Sequence, residues 1–93
     1  MRLDLFLKLS RLIKRRSIAK EYCAHSLVEV NHQTAKASRE IRIGDEITLK
    51  FWNRTVTVEV LEIPSKGIRA GDAASLYRVL SECPKEGVSD EVL

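Results

Sequence analysis

Apolar positions recur at two different spacings in this chain, and the change between them divides it. Leu3, Phe6 and Leu7 stand at i, i+3 and i+4, the stripe of an amphipathic helix. Asp4 lies at the start of that helix, where a carboxylate caps amides and meets the positive end of the dipole, so its role reads as structural. Arg11 to Lys14 has no clear period and reads as a connection. Ser17 then offers an N-cap for a second helix with Ile18, Ala19, Tyr22 and Cys23 as its buried face. From Leu27 the spacing drops to two. Val28 and Val30 alternate with Glu29, and Asn31-His32 reads as a turn. Ile41 and Ile43 alternate with Arg42, and Gly44-Asp45 turns the chain into the strand Ile47 to Phe51. Trp52-Asn53-Arg54 is the next turn. Thr55 to Ile63 follows as a strand, with Val56, Val58 and Val60 on one face and Pro64 closing the hairpin. After Ser65-Lys66-Gly67, Asp72 reads as the N-cap of a last helix. Ala73, Leu76, Tyr77 and Leu80 carry its stripe, and Pro84 ends it. Lys85 to Leu93 is acidic and polar and reads as a frayed end.

Charge sharpens this division. The first twenty residues hold seven cations (Arg2, Lys8, Arg11, Lys14, Arg15, Arg16 and Lys20) against Asp4 alone, a formal +6. Residues 21–80 hold eight basic and eight acidic residues and sum to zero, so the field of the chain comes from one end. Such a patch on a near-neutral body suits a polyanion, because neutralising phosphates releases counterions. The charges are interleaved with leucines and isoleucines, which makes them one face of a folded element rather than a loose tail. Arg16 and Lys20 lie four apart and project together. Arg15 and Arg16 precede Ser17, where the free amides of a helix start also favour phosphate. Ala35-Lys36-Ala37-Ser38 combines small side chains with a cation, which lets a backbone come close to a neighbouring strand or to a phosphate.

The 93 residues make one domain, which buries about two-thirds of its unfolded surface. No apolar run approaches the roughly 20 residues of a membrane span, and no secretory signal is present. A membrane-surface helix fits less well, since the basic residues are not confined to one long amphipathic helix. Cys23 and Cys83 are isolated and suggest a reducing cytoplasmic setting rather than a disulfide framework. Cys23, His25 and His32 match no common zinc spacing and lack a fourth ligand. No phosphate-cradling glycine loop and no nucleophile motif occurs. Tyr22 and Tyr77 sit on apolar stripes and are read as core. Trp52 falls in a turn and is read as packing on the sheet, with an exposed base-stacking platform as the alternative.

The order of elements and the residues Arg2-Leu3-Asp4, Phe6-Leu7-Lys8, Ser10-Arg11-Leu12, Arg15-Arg16-Ser17, Ala19-Lys20, Val28-x-Val30-Asn31, Ala35-Lys36-Ala37-Ser38 and Gly44-Asp45-x-Ile47 carry a resemblance. They resemble the RNA-binding domain first described in ribosomal protein S-four, also called the αL motif, over about residues 1–63. The resemblance implies an α+β fold: two N-terminal helices on a small bent antiparallel sheet. To this the helical spacing of residues 72–80 adds a C-terminal helix, within a linker and acidic tail spanning 64–93. It implies RNA binding by Arg2, Lys8, Arg11, Lys14, Arg15, Arg16, Lys20, Lys36 and Arg39, with Ser38 donating a hydrogen bond, and no catalysis or cofactor. Ser26 and His32 occupy positions where the family often has Gly.

Among stand-alone bacterial members, the opening MRLDLFLKLSRLIKRRSIAKE and Ala73 to Tyr77 are most similar to the RqcP (YabO-like) group of ribosome-associated quality control. The implied partners are the obstructed large ribosomal subunit, its ribosomal RNA, its stranded tRNA and RqcH, which directs alanine tailing. The alternatives are a heat-shock S-four protein acting on free large subunits, and an RNA-binding module of a pseudouridine synthase, for whose catalytic domain the chain has no room. A helix-turn-helix DNA binder is a third.

Overall fold

A computed structural model describes residues 1–64, 73 and 75–84. Helix α1 (Leu3–Leu9) and helix α2 (Arg16–Ala24) come first. Strands β1 (Val28–Val30), β2 (Gln33–Thr34), β3 (Glu46–Lys50), β4 (Arg54–Val60) and β5 (Tyr77–Pro84) follow. The strands form one antiparallel sheet in the order β2-β1-β3-β4-β5.

Alternation sets which face the helices cover. Val28, Val30, Ile47, Leu49, Val56, Val58 and Val60 are buried on one face, where they form a core with Leu3, Phe6, Leu7, Ala19 and Cys23. Register keeps the faces matched: Ile47 opposes Val58 and Leu49 opposes Val56. The other face carries Glu29, Thr48, Lys50, Thr57 and Glu59, and the Thr48 and Thr57 hydroxyls lie 3.2 Å apart across the pair.

Both helices start and stop on non-obvious residues. α2 begins at Arg16 with Arg15 at its N-cap and no side-chain cap, so Ser17 lies inside the first turn rather than at the cap. The Ala19 N–H already reaches the Arg15 carbonyl at 3.0 Å, which starts the helix before the serine. Ile18 is 38% exposed and Tyr22 half-buried, so the buried face is narrower than expected: Ala19 and Cys23. At the far end Ser26 is left-handed (φ 60°). Its N–H donates to the Cys23 carbonyl and the Leu27 N–H to the Tyr22 carbonyl. This is a Schellman cap in which serine holds the position glycine favours. Asn31 and His32 both have positive φ (52° and 69°), giving the two-residue turn between β1 and β2 its primed geometry. Ile43, expected to alternate with buried Ile41, lies 67% exposed in a loop.

The largest difference from expectation is at the C-terminal end. Tyr77–Pro84 is a strand, not a helix, and pairs along the whole of β4 from Val60↔Tyr77 to Arg54↔Pro84. Asp72, the expected cap, lies outside the described residues. The apolar spacing of Leu76, Tyr77 and Leu80 suits a helix, but β4 would otherwise present an unpaired row of backbone groups, and β5 satisfies it. A register shift at Thr57/Val58 leaves Leu80 as the extra residue of a bulge.

Candidate nucleic-acid interface

The first turn of α1 is where separate basic segments meet. Its amides lack intrahelical partners, as at any helix start. The Leu3 N–H donates to the Arg39 carbonyl (2.7 Å) and the Asp4 N–H to the Ala37 carbonyl (3.2 Å). The Ile41 N–H donates to the Met1 carbonyl (2.8 Å), and the backbones of Arg2 and Glu40 form an isolated antiparallel β-bridge. These bonds lay the segment holding Lys36, Ser38 and Arg39 against the residues around Arg2.

Asp4 joins this segment to the second helix. Its side chain is fully buried. One carboxylate oxygen accepts from Arg2 Nε at 3.2 Å and from the Leu5 N–H at 2.9 Å; the other accepts from Arg16 Nε at 3.1 Å. Burial pushes the Asp4 pKa up, but the hydrogen bonds from Arg16 and Arg2 and the Arg16 charge outweigh it and hold the carboxyl below its ordinary value. The carboxylate therefore stays ionised at neutral pH and fixes two guanidinium groups whose side chains remain about half exposed. Asp4 thus has the structural role its position suggested, although Arg2, not Asp4, occupies the N-cap of α1. Arg16 is not a free charge ahead of a capped helix. It is the first helical residue and is tied to the core through Asp4. The signal for this was faint: Asp4 is the sole acid among the first twenty residues, so two nearby arginines share it.

Lys20 is exposed one turn along α2 from Arg16, and Arg15 is exposed at the cap. Lys8, Arg11 and Lys14 are exposed around the other end of α1. Arg11 is left-handed there (φ 62°); its N–H donates to the Lys8 carbonyl, and the Ile13 N–H returns to the Leu7 carbonyl. A cation thus stands where glycine would be less strained. Among the described residues Lys8, Arg11, Lys14, Arg15, Lys20, Lys36 and Arg39 form no ion pair. The sheet differs: Lys50 pairs with Glu29 at 2.8 Å, Arg54 with Glu82 at 3.9 Å, and Arg78 with Glu59.

Other groups have simpler accounts. Burial pushes the Cys23 thiol up to about 11, with the Asp4 charge adding to it, so it is an inert core group at neutral pH. Among the described residues no cluster of three His, Cys, Asp or Glu could hold a metal ion, and no helix is long and apolar enough to cross a membrane. Trp52, expected on the sheet, is 74% exposed. Its neighbour Phe51 takes the packing role, meeting the Tyr22 ring edge-on at 5.8 Å with Arg54 over its own ring at 5.0 Å. Tyr77, expected in the core, is only partly buried.

A basic helical corner held on a small sheet is the arrangement of one RNA-binding class, and comparison bears this out. The S4 domain family model matches residues 1–47, and the chain belongs to that family. Within it, the chain is 45% identical over 84 residues to the "RQC P-site tRNA stabilizing factor" of Halalkalibacterium halodurans, covering 90% of this chain and 94% of that one. The Bacillus subtilis protein of the same name is 45% identical over 88% of this chain and 94% of its own. The solved structure of Vibrio cholerae Heat Shock Protein 15 is similar with a TM-score of 0.76 at 34% identity, over 85% of this chain and 80% of that one. Relatives so named point to RNA binding in ribosome quality control.

Proposed function

We propose that this protein is a non-catalytic RNA-binding factor that grips ribosomal RNA and tRNA on obstructed large ribosomal subunits, and that it supports RqcH-directed alanine tailing of stalled chains. The observation that carries the reading is the imbalance of charge at the helical corner. Asp4 alone answers Arg2 and Arg16, while seven further cations have no acidic partner among the described residues. Opposed charges on a surface neutralise each other; unopposed ones are available to phosphates. Arg2, Lys8, Arg11, Lys14, Arg15, Arg16, Lys20, Lys36 and Arg39 are the proposed phosphate contacts, with Ser38 as a hydroxyl donor. Arg2 and Arg16 differ from the rest because a buried carboxylate orients them before any ligand arrives, which limits the ordering cost of binding.

The heat-shock reading, recycling of free large subunits, draws on the likeness to Heat Shock Protein 15. Identity favours the quality-control group: the chain is 45% identical to the H. halodurans relative but 31% identical to the Haemophilus influenzae heat shock protein 15 homolog. The test is co-sedimentation with purified large subunits that carry or lack a P-site peptidyl-tRNA, with and without RqcH. The expected result is tight binding only to tRNA-bearing subunits and longer alanine tails when the protein is added. Equal binding to empty subunits, or tails of unchanged length, would refute it.

A further inference from the structure

Trp52 is the only tryptophan of the chain, and among the described residues it enters no ring or cation–ring contact. It is 74% exposed at the turn between β3 and β4. Tryptophan is rarely left this open, because its ring is the largest apolar side chain available to a core. The turn beneath it is nonetheless firmly built. The Phe51 N–H donates to the Arg54 carbonyl at 2.8 Å. Phe51 meets both the Tyr22 ring and the Arg54 guanidinium. The indole is therefore presented to solvent by a fixed support, not by a loose loop.

The turn is also joined to the basic corner. Tyr22, its anchor, lies on α2, and Ile18 and Tyr22 stand four apart on one face of that helix, which has Arg15 at its N-cap. Ile18 is itself 38% exposed. The turn that bears the indole is thus packed, through Phe51, on the helix that holds Arg16 and Lys20. Cations at one end and a bare aromatic face at the other form the arrangement that takes a single-stranded nucleic acid: phosphates follow the charge while a base stacks on the ring.

We propose that Trp52 is a base-stacking contact for an unpaired nucleotide of the RNA gripped by the helical corner. This rests on the RNA-binding reading above and adds to it a second contact of different chemistry. The corner takes phosphates whether strands are paired or not; Trp52 takes a base only where one is free.

Two RNA probes with equal numbers of phosphates separate these contacts: a blunt hairpin, and a shorter hairpin with a single-stranded overhang. With the overhang RNA, the emission of the lone tryptophan should fall on saturation, and Trp52→Ala should weaken binding about 5- to 100-fold, the range for one lost stacking contact. Trp52→Phe should recover part of the loss. With the blunt hairpin, Trp52→Ala should bind like the parent, while Arg15→Ala combined with Lys20→Ala should weaken both probes alike. A thermal melt checks that the variants fold. If emission is unchanged at saturation and Trp52→Ala binds both probes normally, the stacking contact is overturned, the RNA reading survives, and Trp52 is left to a protein partner. If neither probe binds at low salt, the RNA reading fails and the stacking site with it.

Discussion

The helical corner and the sheet hold the same kinds of cation but use them differently. On the sheet Lys50, Arg54 and Arg78 each stand within 4 Å of a glutamate. Exposed pairs of this kind contribute little to stability, about 0–1 kcal/mol, and cancel each other's field. At the corner one buried carboxylate serves two arginines, and the surrounding cations stand alone among the described residues. Charge count therefore does not identify a binding face; unbalanced charge does. The corner is also where electrostatics and folding are coupled, since Asp4 is buried and its partners are not.

Removing Asp4 should have the largest effect. Asp4→Ala deletes the group that ties α1 to α2, and we expect a loss of about 2–4 kcal/mol, near the range for breaking a buried ion pair but softened by the half-exposed arginines. Chemical denaturation checks it. The pH dependence has a defined sign. The Asp4 pKa is lower in the folded than in the unfolded state, so its contribution is present above the unfolded value, 3.8, and is lost as pH falls through the folded value. Acid unfolding below about pH 4 should lose this component in Asp4→Asn.

Arg16→Ala comes next and probes both halves of the comparison. Binding to large subunits should weaken by roughly 1.5–3 kcal/mol, the range for a charge-assisted contact. Unlike an isolated surface charge, Arg16 should also affect stability, by about 1–2 kcal/mol, because its loss leaves Asp4 with Arg2 as its one charged partner among the described residues. Lys50→Ala on the sheet should change each by no more than about 0.5 kcal/mol. Filter binding and thermal melts of the two variants decide it, and equal losses would erase the distinction between the regions. Salt gives a collective measure. If about five or six phosphates are neutralised, log K should fall with log[salt] at a slope near −4 to −5. A slope near zero would remove the electrostatic argument.

The smallest expected effect is a gain. Ser26→Gly relieves a left-handed residue in the α2 cap and should stabilise the fold by about 1 kcal/mol, with RNA affinity unchanged. His32→Gly in the β1–β2 turn should behave similarly, and melting temperatures measure both.

Much of this architecture was legible in the chain because its signals are local. The i, i+3, i+4 stripe of Leu3, Phe6 and Leu7 and the alternation of Val56, Val58 and Val60 are each readable in one short window. The charge division between residues 1–20 and the remainder was equally plain. Where expectation failed, the deciding partner lay far away. Residues 77–84 carry both a helical spacing and strand-forming side chains, and the open edge of β4, some twenty residues earlier, makes them a strand. Ser17 looked like a cap because nothing nearby shows that Arg16 will bond Asp4 twelve positions back. Trp52 reads as packing on the sheet because its size suggests burial; only the structure shows Phe51 packing against Tyr22 while Trp52 stays exposed.

The buried Cys23 and the exposed Cys83 give the folded chain two thiols of very different reactivity. A maleimide at neutral pH should label Cys83 at the sheet edge quickly. It should reach Cys23 only when α2 lifts away from the core, so the slow labelling rate reads the opening free energy of that helix directly. Because α2 carries Arg16 and Lys20 and is preceded by Arg15, its protection on adding RNA becomes a clock for engagement of the corner. That clock runs on the native sequence, without an introduced probe.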